Sequence, residues 1–531
     1  MTFVRILCTL LFLLAVNIHT TLATGPQPAE ELRLLGTRSW IRADWKPVDG
    51  KVRLYWSAGA KRPKLPNATV AEGASRFYIR NVQPETVYNI WLEYSDRKGR
   101  RKFIKGNATT GKAWVHDSAD VKELSANPSS RAVPAGMEVF WQDEFSDSLL
   151  NLNKWTTNYF SQLNYLDTDS RNEMKTGTLP QPAYVLNGST IDLYVSDSLP
   201  VRLFSKKGNQ KISSIQTYDW QTNENLLDNS RGGYFEVKVK RSSTGNPKGL
   251  NTAFWFDSPG PDIRYYLEEG TAVEGIKGIR PKGQVFEIDV FEYINAQFVL
   301  HGHVDKNGKF LRNLNTHIAE GYIHRDQWVT HGILWTPASI KHYINGDLIR
   351  EYTDKNKIYS PNHFMNVFLG TYGSDGNVNM EVDYIRYYQW PLANGNELPG
   401  TGFEEGEGLG PWEGSGRIEA GAGIGNSKGM VLQPGEKIMQ YVYLSNNTRY
   451  QLACHVKGES TVKAVVSDVA VVNGALTAIA TLEGKGTAVF SKNSGVFTTG
   501  IEPEGHKKTV CFLFENTGTT PITLDDVTVT R

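Results

Sequence analysis

An all-β architecture, with a central β-jelly-roll sandwich flanked by two smaller β-sandwich domains, is what three features of the sequence predict. Aromatic residues make up 11% of the chain, with 13 Trp and 24 Tyr, and glycine occurs 50 times. That mixture of strand formers and turn formers suits sheets rather than helices. Runs such as GGYFEVKVKR (232–241) and NMEVDYIRYYQW (379–390) alternate apolar with polar residues, the period of a half-buried strand. No stretch carries the periodicity of a long amphipathic helix. At 531 residues the chain is too long for one core, so two to four domains are expected. Charge is nearly balanced, 57 Lys+Arg against 56 Asp+Glu, which gives no basic footprint for nucleic acid.

The first residues read as a signal peptide, 1–23. Arg5 supplies the positive start, Ile6 to Val16 the apolar stretch, and Thr21-Leu22-Ala23 the small residues of a cleavage site. The expected location is secreted, periplasmic or at the cell surface. The apolar stretch is short for a membrane span, and no later segment looks like one, so no membrane insertion is expected once the signal is removed. Cys8 leaves with the signal. Cys454 and Cys511 remain, in apparent strands, and an oxidising compartment permits a bond between them. Sequence leaves that pairing open, because it does not give the distance between them. No cysteine pair has zinc-site spacing.

Residues 24–118 read as a small β-sandwich. IRADWKPVDGKVRLYWS (41–57) gives two short aromatic strands around a Val-Asp-Gly turn. Val82-Gln83-Pro84 followed by Thr86 and Tyr88 resembles the loop before a late strand of fibronectin type III modules. DRKGRRKFIKG (96–106) is a basic hairpin; it reads first as a solvated turn, and second as a contact for an anionic polymer such as a sulfated polysaccharide.

Residues 119–392 hold the longest series of strand-like runs, among them MEVFWQDEF (137–145), LNTAFWF (250–256), FVLHGHV (298–304) and MNVFLGTY (365–372). YINGDLIREY (343–352) carries Asn-Gly between two runs, a strong hairpin signal. A two-sheet sandwich or jelly roll is the default for such a series. A turn-rich linker, 393–400, leads to a third unit, 401–531. Its frame, with Trp412 early and YQLACHVKG (450–458) midway, resembles β-sandwich carbohydrate-binding modules. GAGIGNSKG (421–429) looks superficially like a phosphate loop, but no Gly-Lys-Ser/Thr follows and no helix is expected after it, so it reads as a turn-rich loop.

The chemistry concentrates in QVFEIDVFEYI (284–294). Glu287 and Asp289 are two residues apart and share one face of a strand. Glu292 has the wrong parity to join them, unless a β-bulge at Val290-Phe291 absorbs one residue. Burying three carboxylates among Val, Ile and Phe is costly unless they are paired or functional. One can stay ionised while a neighbour, raised by burial and by nearby negative charge, holds a proton at neutral pH. That division of labour is what glycoside hydrolysis needs.

EIDVFE (287–292) resembles the Glu-x-Asp-x-x-Glu signature of family 16 glycoside hydrolases in its bulged form. FWQDEFSDSLLNLNKW (140–155), RGGYFEVKVKR (231–241) with GLNTAFWF (249–256), WVTHGILWTPASIKHYINGDLIREY (328–352) and MEVDYIRYYQW (380–390) resemble further family segments, in order, over about 140–390. The resemblance implies a β-jelly roll with a cleft across its concave sheet. It implies Glu287 as nucleophile, Glu292 as general acid/base, and Asp289 between them to orient Glu287 and tune the acid. The bulged branch places a histidine beside the acids. His301, His303 and Asp305 alternate onto one face; His303 is the favoured match. Two other readings stand beside it: a metal site at His-x-His-x-Asp, and surface histidines with no role.

For the substrate, Trp255, Trp220 and Tyr372 are candidate stacking platforms for sugar rings, with Trp155 as readily a core residue. Arg171, Asn172 and His301 are candidates for binding sugar hydroxyls or a sulfate. The run between Phe256 and Glu287 departs from the family's common glucanase pattern by a long insertion carrying Arg264, Tyr265 and Tyr266. Loops on a fixed scaffold set specificity, so an algal galactan of agarose, porphyran or carrageenan type is slightly favoured over β-1,3-glucan. The expected partner is thus a polysaccharide substrate; oligomeric state is open. Family domains often hold a structural calcium. Here that implies Asp383 as the carboxylate donor, with backbone oxygens near Glu144 and Gly233 (or Gly232), and no cofactor for catalysis. The rival readings are a polysaccharide-binding protein without turnover and a transglycosylase on the same scaffold.

Overall fold

The structure is a computed structural model. It describes residues 32–111, apart from 37–39, 47, 49–50, 71–75, 81 and 96–98; then 129–157, 184–198, 211–219 and 224–259, apart from 245–250; then 272–273, 276–277, 284–302 apart from 294–296, 314–319, 326–353 and 358–373; and 376–531, apart from 394, 405–407, 472 and 503–504. The proposed signal peptide lies outside the described residues. The chain divides into two compact units, residues 1–113 and 114–531.

The first unit pairs a three-stranded sheet (Arg33–Gly36, Trp40–Asp44, Arg76–Arg80) with a four-stranded one (Ala68–Val70, Val52–Ser57, Val87–Ser95, Arg101–Thr109), counted over the described residues. Ile41, Ala43, Leu54, Ile79, Ile90 and Leu92 fill its core. In the loop before the Val87 strand, the Gln83 amide donates to Tyr88 Oη at 2.9 Å. Two cations of the basic hairpin are engaged within the unit: Arg101 pairs with Glu93 at 3.1 Å, and Lys105 lies over the Trp91 ring.

In the second unit two antiparallel sheets face each other. Among the described residues the outer sheet has eight strands. Its centre is Gly233–Thr244 between Trp328–Trp335 and Asn377–Gln389. The inner sheet has six, ordered Lys211–Gln216, Asn366–Gly373, Asn251–Asp257, Glu287–Glu292, Gln297–His301 and Asn315–Ile318. The alternation noted in the sequence decides what lies between them. Phe235, Val237 and Val239 point inward from one sheet; Phe254, Phe256, Ile288, Leu300, Val367 and Leu369 point inward from the other. Phe235 stacks on Tyr387 at 4.1 Å and on Trp335 at 5.6 Å. Asn345 and Gly346 both have positive φ, as a tight hairpin turn between Ile340–Ile344 and Asp347–Tyr352 requires.

Tyr234, Glu236, Lys238 and Lys240, the even-numbered residues early in Gly233–Thr244, face away from the central core, yet Glu236 is fully buried there. The lead-in segment near Ser130 covers it. Its carboxylate accepts from Tyr234 Oη (2.9 Å), Tyr384 Oη (2.7 Å) and the Ser130 amide (3.0 Å). Such a set of donors is what makes a buried carboxylate tolerable.

The C-terminal part of this unit is a second sandwich of two five-stranded sheets, counted over the described residues. Cys454 and Cys511 are both buried and free. They lie in opposite sheets, so the pairing left open by the sequence is not formed. The Gly421–Gly429 loop turns its Ile424 amide onto the Asp525 carboxylate at 2.7 Å, so a side chain of the protein holds the place an anion would take.

A buried seam joins the C-terminal sandwich to the inner sheet. Tyr359 packs with Val469, Val471 and Cys511, and its hydroxyl bonds to Thr509. Its backbone carbonyl accepts from the Val285 amide at 3.0 Å. Asn362 Oδ1 accepts from Gln284 Nε2 at 2.7 Å and lies 2.9 Å from His506 Nδ1. The seam therefore grips residues 284–285, immediately ahead of the Glu287 strand. Tyr359→Ala empties a fully buried ring site and is expected to destabilise the second unit by about 3–5 kcal/mol. Thermal unfolding of the full chain measures this; an unchanged midpoint would show that the seam carries no stability.

Candidate active site

The register around the Glu287–Glu292 strand fixes the site. On one side Glu287 pairs with His301 and Asp289 with Val299, but Glu292 pairs with Gln297. Three steps along the acid strand match two on its neighbour. On the other side Asp289 pairs with Trp255 and Phe291 with Phe254, two steps against one. One extra residue is thus absorbed at Val290-Phe291, the bulge on which the parity of Glu292 turns. Both bulge residues are fully buried in the core. Glu287, Asp289 and Glu292 consequently share the face that points away from it.

Each acid sits in a different environment. Asp289 is almost fully buried, and its Oδ2 lies 2.9 Å from His301 Nε2. The same nitrogen is 3.8 Å from Glu287 Oε1. The donor atoms of Glu287, Asp289 and His301 all fall within 4.8 Å of one another. Glu292 is half-buried and accepts from Asn251 Nδ2 at 3.2 Å. Burial first, and then the charge of Glu287, raise its pKa above the ordinary carboxylate value; the Asn251 hydrogen bond and His301 pull the other way. The arrangement offers one partly exposed carboxylate beside another that retains its proton more readily.

His301 lies beside the acids, directly opposite Glu287 in the ladder. The favoured match, His303, falls outside the described residues, as does Asp305. So do Trp220, Arg171, Asn172 and Arg264 with its insertion neighbours. Trp255 and Tyr372 are on the same face as the acids, by their pairing through Phe368 and Asn251. They are buried rather than open platforms: Trp255 stacks on Phe368 at 4.1 Å and donates to Tyr372 Oη at 2.9 Å. Trp155 is a core residue whose Nε1 donates to Asp143 at 2.7 Å.

The expected calcium donors do not fit a shared ion. The Asp383 carboxylate pairs with Lys238 at 2.7 Å. Tyr234, next to Gly233, pairs with Tyr388, five residues along the strand from Asp383; that is about 16 Å at the rise of a strand.

Asn251 was not among the residues the sequence singled out. Its parity with Trp255 was the available signal, since both fall on alternate positions of one strand.

Residues 280–388 match the family model of Glycosyl hydrolases family 16. That segment carries the family pattern. It contains all three acids and His301. Over 309 residues the sequence is 25% identical to the glucan endo-1,3-beta-glucosidase A1 of Niallia circulans, covering 51% of this chain and 41% of that protein. The chain thus spans less than half the length of that curated relative. Among solved structures, the endo-beta-1,3-glucanase from Pyrococcus furiosus is similar at 18% identity, over 48% of this chain and 96% of that one, with a TM-score of 0.32. The GlcNAc[alpha]1-4Gal releasing endo-[beta]-galactosidase from Clostridium perfringens is similar at 15% identity, over 58% of this chain and 79% of that one, with a TM-score of 0.34.

The electrostatic coupling is directly testable. In Glu287→Gln the neighbouring charge is gone, so the Glu292 pKa is expected to fall toward, but not reach, the ordinary value, because burial remains. A carbon-13 titration of labelled glutamate carboxyls, with Glu292 assigned by its loss in Glu292→Gln, reads this. A Glu292 pKa that stays put would mean the two carboxyls do not sense each other.

Proposed function

We propose that the chain is a secreted, retaining endo-β-glycosidase acting on a polysaccharide. The observation that carries this reading is the bulge, which returns Glu292 to the face of Glu287 and leaves the two acids in unequal environments. In the proposed cycle, Glu287 attacks the anomeric carbon while Glu292 gives its proton to the leaving glycosidic oxygen. Glu292, now ionised, takes a proton from water, whose oxygen displaces Glu287 and restores both groups. Asp289 lies beneath, tied to His301, and holds the imidazole against Glu287. The family match over 280–388 supports the reaction class.

Two substrate classes enter the test. A β-linked galactan is favoured by Arg264, Tyr265 and Tyr266 in the insertion after Phe256. A β-1,3-glucan is supported by the name of the Niallia circulans relative. Reducing-end release from laminarin, mixed-linkage glucan, agarose, porphyran and carrageenans decides between them. Release from one class is expected, abolished in Glu287→Gln and lowered about 10²–10⁴-fold in Glu292→Gln. Binding without release on the cleaved-glycan panel would favour a polysaccharide-binding protein. Chain lengthening with excess acceptor would favour a transglycosylase.

A further inference from the structure

We infer that Asn251 and Arg241 are the positioning residues of Glu292, one holding its carboxyl group from the cleft side and the other holding the turn behind it from inside the sandwich. The inference rests on the reading of Glu292 as the proton donor.

Glu292 is the last residue of its strand, where a long side chain would swing. The next residue, Tyr293, has φ of 57°, left-handed backbone that a bulky residue seldom adopts. Something must hold that peptide. Its N–H donates to Asn251 Oδ1 at 2.5 Å. Its carbonyl accepts from Arg241 Nη1 at 3.0 Å, with Thr252 Oγ1 at 3.5 Å. The amide of Asn251 is thereby fixed: with its oxygen committed to Tyr293, its nitrogen is aimed at Glu292 Oε1. A single side chain thus reads both the turn and the acid.

Among the described residues, the contacts of the Arg241 side chain are those of this role. Arg241 continues the inward stripe of Phe235, Val237 and Val239 and is 2% exposed. Among the described residues it has no carboxylate partner. A guanidinium so placed is costly, and burial lowers its pKa. What it gains is the Tyr293 carbonyl and the face of Phe291, whose ring centre is 4.8 Å from its Cζ. Phe291 is itself a bulge residue. Arg241 therefore braces both the extra residue and the turn that follows the acid. Among the described residues, Glu287 and His301 act on Glu292 by their charge, and Tyr293, next in the chain, feels both Glu292 and Asp289. Asn251 is the neutral donor among them.

The test uses full-length chain and the polysaccharide that the wild type cleaves. Asn251→Ala is expected to lower kcat about ten- to a hundredfold, the scale of one hydrogen bond to a charged group, with KM little changed. Loss of a donor that favours the carboxylate moves the alkaline limb of the kcat profile to higher pH. Asn251→Asp still accepts from Tyr293 but adds negative charge beside Glu292, and shifts the limb further the same way. Arg241→Met lowers kcat, and Arg241→Lys recovers part of it. The carboxyl titration of Glu292 in the Asn251→Ala chain gives a readout free of turnover, and an upward shift is expected there even on an idle enzyme. Wild-type kcat with an unmoved limb and an unmoved Glu292 titration in Asn251→Ala would overturn the inference. Activity surviving in Glu287→Gln would instead overturn the catalytic reading beneath it.

Discussion

Two consecutive side chains, Val290 and Phe291, both enter the core of the central sandwich, and the position of the acids follows from that. A regular strand sends alternate residues to opposite faces. Here two neighbours share the inner face, opposite the single residue Phe254. Everything after them changes side. Hydrophobic burial of the extra residue helps fund the irregularity, and the ladder bonds lost at the bulge are local. The return of a residue five positions from Glu287 to the face of Glu287 is the consequence.

Around that bulge, polar groups are placed so that few charges are buried without a partner. Asp289, the most buried of the three acids on this strand, has His301. Glu236, on the far side of the outer sheet, has two tyrosines and a backbone amide. Arg386 and Glu144 satisfy each other there as a fork pair. Glu292 is raised first by desolvation and next by its like-charged neighbour Glu287. The acid suited to hold a proton is thus separated by environment from the one suited to attack. The C-terminal sandwich contributes by gripping Gln284 and Val285, which enter the acid strand from a fixed direction.

The strands and the acids were legible because period-two patterning survives in the sequence, and each quoted run of the central region became a ladder strand where it is described. The bulge was legible as a condition, since only an inserted residue reconciles the spacing of Glu287 and Glu292. The place of His301 was not: residues 301 and 303 share parity in the sequence, and the register is what sets 301 opposite Glu287. The calcium expectation set Gly233 beside Asp383, whereas the register puts Tyr234 opposite Tyr388 and pairs Asp383 with Lys238, relations that require knowing the register of strands far apart in sequence. Arg241 sits on the apolar parity of its strand, a mismatch visible in the sequence whose reason is visible only once Tyr293 is placed above it. The seam residues Tyr359 and Asn362 occur in a short irregular stretch with no periodic signal.

A crystal structure of the Glu287→Gln protein with an oligosaccharide of the cleaved polymer would test the central claim most directly. The account expects the bulge at Val290-Phe291, with the side-chain carbonyl carbon of residue 287 and the Glu292 carboxyl carbon about 5–5.5 Å apart on one face. The glycosidic oxygen should lie within hydrogen-bond reach of Glu292. A regular strand that turns Glu292 toward the core, or a sugar bound away from both residues, would contradict it.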